Sequence, residues 1–174
     1  MATTGKLNKE LWTNITRLKL LGKPNTTNRF ILESNPFDDE DEEKVAVEKD
    51  EYVIKGKIFP SSNIYKETAL RIEMKLTSAY PIEAPVVRFL TPVYHPNVES
   101  DGTFCHQLLS NASRWKQNRT ATLADVIKAI AKHIDEPDPD YSINFDIGKE
   151  FMENRAEFDR KASEMVRRNM ISRD

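Results

Sequence analysis

Cysteine is almost missing from this 174-residue chain. Cys105 is the only one, so no internal disulfide can form, and any special interest of the thiol is nucleophilic. Long apolar runs are missing too: none approaches the roughly 18 residues a membrane span needs, and the opening MATTGKLNKELW has no apolar signal-peptide core. Neither sign of charge is in excess, with 26 Lys and Arg against 28 Asp and Glu, so nothing in the composition argues for nucleic acid. A free cysteine without a secretion signal points to a reducing compartment, cytoplasmic or nuclear. The sequons at Asn14, Asn25, Asn111 and Asn118 are then chance matches. The length favours one domain over 1–174, large enough to bury a core without disulfides or metals.

What is present reads as helix, strands, loop, helices. Leu7, Leu11, Ile15 and Leu18 recur at helical spacing, predicting an amphipathic helix over about 5–20 that Gly22 and Pro24 end. A first strand is expected over 29–34. From Asp38 to Glu51 nine of fourteen residues are acidic; such a block self-repels and reads as a solvated loop insertion over about 36–51. Strands follow over 52–59, 69–76 and 86–90. In the second of these Leu70, Ile72, Met74 and Leu76 alternate with Arg71, Glu73 and Lys75, so one face is buried and one wet. Short connections make the sheet a meander. His106 to Ala121 has no clear period. Leu123, Val126, Ile127, Ile130 and Ile134 then resume helical spacing behind a Thr122 cap, and Glu136 to Asp140 stops that helix. Two further helices are expected over 145–153 and 155–168, the second with Phe158, Ala162, Met165 and Val166 inward. The class is α+β, four antiparallel strands with helices packed on them.

The lone thiol lies in the stretch Tyr94 to Cys105, YHPNVESDGTFC, which leaves the last strand as an irregular loop with Gly102 at a turn. By itself this stretch is equally compatible with a small core cysteine after a turn. A cysteine hydrolase using Cys105 and a histidine lacks a legible third residue. A zinc site from His95, Cys105 and His106 lacks a fourth ligand.

His95-Pro96-Asn97, a cysteine eight residues past Asn97, and Gly102 three before it resemble the active-site signature of the ubiquitin-conjugating enzymes. Tyr80-Pro81 with Pro85, Trp115 ten residues after the cysteine, and Pro137-Asp138-Pro139 occur in the family's order. The resemblance implies a UBC fold, no cofactor, no metal, and a catalytic Cys105 that takes ubiquitin from the activating enzyme as a thioester, then yields it to a lysine or a ligase cysteine. It gives Asn97 either the stabilisation of the oxyanion or the bracing of the loop, and makes His95 and Pro96 structural. Lys6 and Lys9 fall where the activating enzyme docks, and Ile82, Trp115 and Gln117 where ligases grip. Three departures stand out. Gln107 replaces an acid two after the cysteine, and Asp140-Tyr141 follows the Pro-x-Pro turn where lysine-orienting acids are usual. Ile82 replaces an aromatic residue and Gln117 a proline. His106 replaces an aliphatic residue, and the path to Trp115 is about two residues longer. The resemblance therefore implies poor transfer to free lysine and a preference for ligases bearing their own cysteine, with another ubiquitin-like modifier or a weakly active binding module as alternatives. Monomer is the default.

Overall fold

The computed structural model describes residues 4–38, 50–109, 115 and 121–174. The first element, α1 (Thr4–Leu20), buries Leu11, Ile15 and Leu18, three residues on one helical face. Four strands follow: β1 (Phe30–Ser34), β2 (Glu51–Ile58), β3 (Leu70–Thr77) and β4 (Val86–Phe89). They pair in the order β1-β2-β3-β4, each neighbour antiparallel, with a register shift between Leu32 and Ser34. Among the described residues three longer helices close the fold: α2 (Leu123–Asp135), α3 (Phe145–Glu153) and α4 (Arg155–Arg168). Each expected element is found, with ends within two residues. Residues 39–49, the bulk of the acidic insertion, lie outside the described residues.

The core forms where the inner faces of the sheet, α1 and α2 meet. Ile54, Ile58, Leu70, Ile72, Met74 and Leu76 face Leu11, Ile15, Leu18, Val126, Ile127 and Ile130 in one apolar cluster. Burying such side chains contributes about 1.5–3 kcal/mol each before chain entropy is set against it. Gly56 is required by close approach, because a Cβ there would fall 2.3 Å from the Phe30 ring. Asn14 links the helices: its Nδ2 donates to the Glu10 carbonyl (3.0 Å), and its Oδ1 accepts from Leu123 N (3.0 Å) at the start of α2.

The outer face of the sheet departs from the simple alternation. Arg71 and Lys75 are partly exposed, but Glu73 is only 6% exposed. Its carboxylate lies between Lys55 of β2 (3.7 Å) and Arg88 of β4 (3.5 Å), both directly opposite it in register. A charge is tolerated at such depth only when countercharges flank it. Arg71 pairs with Glu33 through two bonds of 2.7 and 2.8 Å, and Lys75 with Glu51 at 3.6 Å.

Candidate active site

Beyond β4 the chain folds back along its own strand. Phe89 N donates to the Gly102 carbonyl (2.8 Å) and Phe104 N to the Val87 carbonyl (3.0 Å), so residues 102–104 extend the sheet and carry Cys105 off its end. The turn that permits this needs glycine. Gly102 has φ +91°, and a Cβ would sit 2.2 Å from the Phe89 oxygen. Cys105 N donates to the Asn97 carbonyl (3.1 Å), which fixes the cysteine's backbone to the HPN segment.

His95 is fully buried. Its Nδ1 accepts from Asn97 N (3.1 Å), so the ring proton is on Nε2, which donates to the His133 carbonyl in α2 (2.9 Å). Burial drives its pKa down to about 4, only partly opposed by the bond to His133. A neutral ring with both nitrogens engaged can neither ligate zinc nor act as a base. The Pro96 carbonyl accepts from Ile143 N (3.0 Å) and Asn144 N (3.3 Å), anchoring the approach to α3.

Asn97 is also fully buried. Its Nδ2 donates to the carbonyls of Asp138 (2.9 Å) and Tyr141 (3.1 Å), and its Oδ1 accepts from Asp138 N (3.0 Å). Both amide protons are therefore engaged with the segment after α2, a bracing geometry.

The Cys105 side chain is half-buried on a groove of about 350 Å³ lined mainly by apolar residues, with Val86 and Pro85 on one side and Tyr141, Ile143 and Leu109 around it. Burial first, then the negative charges of Glu99 and Asp101, push the thiol pKa up. His106 follows the cysteine; its ring stacks on Phe104 (centroids 6.0 Å, 12° between planes) and meets the His133 ring edge to face at 4.0 Å. Its Nδ1 accepts from Leu108 N (2.8 Å).

The other expected site residues fall into three groups. Tyr141 lines the groove and is 45% exposed, while Asp140 beside it is exposed and its N–H donates to Asp138 Oδ1 (3.1 Å). Ile82 is 74% exposed, but Trp115 is only 3% exposed and its indole N–H donates to the Pro81 carbonyl (2.8 Å). Trp115 thus supports the loop that presents Ile82 and offers almost no surface itself. Gln117 lies outside the described residues. Lys6 and Lys9 are both in α1, Lys9 exposed. Among the described residues no group of three or more His, Cys, Asp or Glu could hold a metal ion, and no helix is long and apolar enough to cross a membrane.

Sequence reasoning missed the partners rather than the centre. Asp138 was legible only as part of a helix-ending turn, yet its backbone makes two of Asn97's three bonds across 41 residues, accepting one and donating the other. The His133 carbonyl carried no signal, since any residue type supplies one.

A meander sheet with helices on one face, ending in a half-exposed thiol on a loop braced by buried histidine and asparagine, is the UBC arrangement. The chain belongs to the ubiquitin-conjugating enzyme family, whose model matches residues 31–166. It is 34% identical over 119 residues to the mouse ubiquitin-conjugating enzyme E2 T, covering 67% of this chain and 58% of that one. The human E2 T is 31% identical over 105 residues, 60% of this chain and 53% of that protein. The fruit-fly ubiquitin-conjugating enzyme E2-18 kDa is 30% identical over 118 residues, 68% and 75% respectively. The chain therefore spans little more than half the length of the E2 T relatives.

Proposed function

We propose that the protein is a ubiquitin-conjugating acyltransferase that carries its modifier as a thioester on Cys105. The observation that carries this reading is the half-exposed sulfur on a groove of about 350 Å³, its backbone held by Asn97. In the first step the Cys105 thiolate attacks the thioester on the activating enzyme, forming a new C–S bond and releasing that enzyme's thiolate. In the second an acceptor amine or thiolate attacks the carbonyl and Cys105 leaves as thiolate, the proton of an amine acceptor passing to that thiolate or to water.

The raised thiol pKa suits a carrier. A more basic thiolate is the stronger nucleophile once formed, but the poorer leaving group, so the adduct resists hydrolysis. For the acceptor, none of the described residues lining the groove is Asp or Glu. An ammonium entering it meets no carboxylate in the groove lining itself to orient it or take its proton, with Gln107 and Tyr141 at the positions where the family usually has acids. A ligase cysteine that attacks as thiolate needs neither. Asp140, exposed beside the groove, is the nearest candidate for lysine orientation, with the Tyr141 hydroxyl as a second.

Asn97 acts mainly as a brace. To donate to an oxyanion its amide must first leave Asp138 or Tyr141. Lys6 and Lys9 supply the activating-enzyme contact and Ile82 the ligase contact, and a reduced cysteine suits a cytoplasmic or nuclear setting. The modifier is ubiquitin, with other ubiquitin-like modifiers as the second reading because no residue of the site distinguishes them.

Incubation with activating enzyme, ATP and ubiquitin should yield a reductant-sensitive adduct one modifier heavier, absent in Cys105→Ala. Run against a panel of modifiers, the same assay names the cognate one. A chain that charges with none is a binding module.

A further inference from the structure

Residues 170–174 follow α4 without regular structure, yet they are densely held. Ile171 takes a bond from Ala69 N to its carbonyl (3.0 Å) and gives one from its N–H to Thr68 Oγ1 (3.0 Å). Arg173 Nη1 faces three carbonyls of one loop, those of Thr68 (2.8 Å), Pro60 (3.0 Å) and Tyr65 (3.4 Å), and its guanidinium lies 5.4 Å from the centre of the Phe59 ring. Lys57, only 8% exposed, donates to the carbonyls of Asp174 (3.0 Å) and Ser172 (3.4 Å).

The loop so gripped, residues 60–69, is also held from its other side. Asp135 at the end of α2 accepts from Ser61 N, Ser61 Oγ and Ser62 N, each at 2.9 Å. Two residues earlier in α2 is the His133 carbonyl that receives His95 Nε2. The Tyr65 hydroxyl donates to the carbonyl of Tyr94 at 3.5 Å, next to His95. Between this loop and His95 is a cavity of about 340 Å³, lined by Ser62, Tyr65, His95, Asp135 and Phe158 among others. Tyr65, Thr68 and Ala69 root the loop in the core, whereas its outer part around Ser62 borders the cavity and depends on its tethers for position.

We propose that the 170–174 segment is a tether that positions the thiol-bearing loop, with Arg173 as its positioning residue. A single cationic nitrogen, Nη1, meets the carbonyls at positions 60 and 68, with the one at 65 sharing its protons at 3.4 Å. Without it those carbonyls turn to water, and the outer part of the loop around Ser62 has room to move into the neighbouring cavity. That motion loosens the Ser61 and Ser62 bonds to Asp135, frees the last turn of α2, and weakens the His133 anchor of His95. Because His95 Nδ1 holds Asn97 N, the loss reaches the residue whose carbonyl fixes Cys105.

The activity arm of the test rests on Cys105 being the carrier; the structural arm does not. Exchange of the buried His95 Nε2 proton is followed by NMR in the full chain, in Arg173→Ala, in Arg173→Lys, and in Ile15→Val, a control that destabilises the core through α1. Arg173→Ala should speed that exchange about tenfold beyond the control, as expected of a local opening, and Arg173→Lys, which keeps a cation and donors, should recover at least half of the effect. Where a modifier charges Cys105, discharge should slow about threefold in Arg173→Ala with charging within about twofold of the parent, a split that global destabilisation alone does not produce. Exchange no faster than in Ile15→Val, or no recovery by lysine, overturns the tether. Failure to charge with any modifier overturns the carrier reading alone, because the His95 proton still reports on the loop.

Discussion

Asn97 is the point where one side chain joins two separate stretches of chain. Asn97→Ala removes three bonds and leaves the Asp138 N–H and two carbonyls without partners. The expected cost is about 2–3 kcal/mol of stability, since an unsatisfied buried polar group costs more than its bond was worth, read as a lowered midpoint in urea unfolding. In the charging assay, if bracing dominates, charging and lysine discharge should fall together; a selective loss of discharge points to the oxyanion role. For the thiol, Glu99→Gln with Asp101→Asn removes the two charges that oppose thiolate formation. The apparent pKa for alkylation of Cys105 by iodoacetamide should move down, and an unchanged profile would leave burial as the sole cause. At this scale the sequence was most informative about Cys105, Gly102 and the HPN triplet. It was least informative about what they touch, because a backbone carbonyl such as that of Asp138 or His133 has no residue-type signature.

Among elements, α2 carries the most. Its entry is a capping box: Thr122 accepts from Asp125 N, and the Asp125 carboxylate accepts from Thr122 N, while Asn14 satisfies Leu123 N from α1. Thr122→Ala should cost about 1 kcal/mol, a fall in Tm of ~3 °C for a chain of this size, with the far-UV spectrum unchanged at 20 °C. This cap and the helix behind it were readable because both are local: a threonine before the first apolar residue, then periodic aliphatics. The four strands were readable through alternation and short connections for the same reason. The burial of Glu73 was not, since it depends on Lys55 and Arg88 arriving from two other strands. Nor was the anchoring of residues 170–174, whose partners at Lys57, Pro60 and Thr68 lie more than a hundred positions away.

For the whole molecule the buried His95 and the partly buried His133 set the response to acid. Burial depresses His95 to about 4 and lowers His133 as well, whereas in the unfolded chain both titrate near 6.5. Between these values the unfolded state binds more protons, so stability is full above about pH 6.5 and is lost as pH falls towards 4. Chemical denaturation at pH 7 and 4.5 should differ by about 2 kcal/mol from His95 alone; a flat profile over that range would mean His95 is not buried neutral. The paired carboxylates Glu33, held down by Arg71, and Glu150, held down by Lys161 and Tyr94, act in the same direction, but only below the ordinary carboxylate range.

The charges on the outer face of the sheet bear on how the strands find each other. Only a slip by an even number of residues keeps aliphatic side chains turned inward, so the interior alone cannot reject a two-residue misalignment of β2 against β3. In the native pairing Lys55 faces Glu73. Sliding by two in one direction sets it against Lys75, and in the other against Arg71. Both slips break the Lys55–Glu73 pair, and the second leaves Glu73 opposite Val53 with no cation from β2, so the solvent side edits a misalignment that the oily side leaves open.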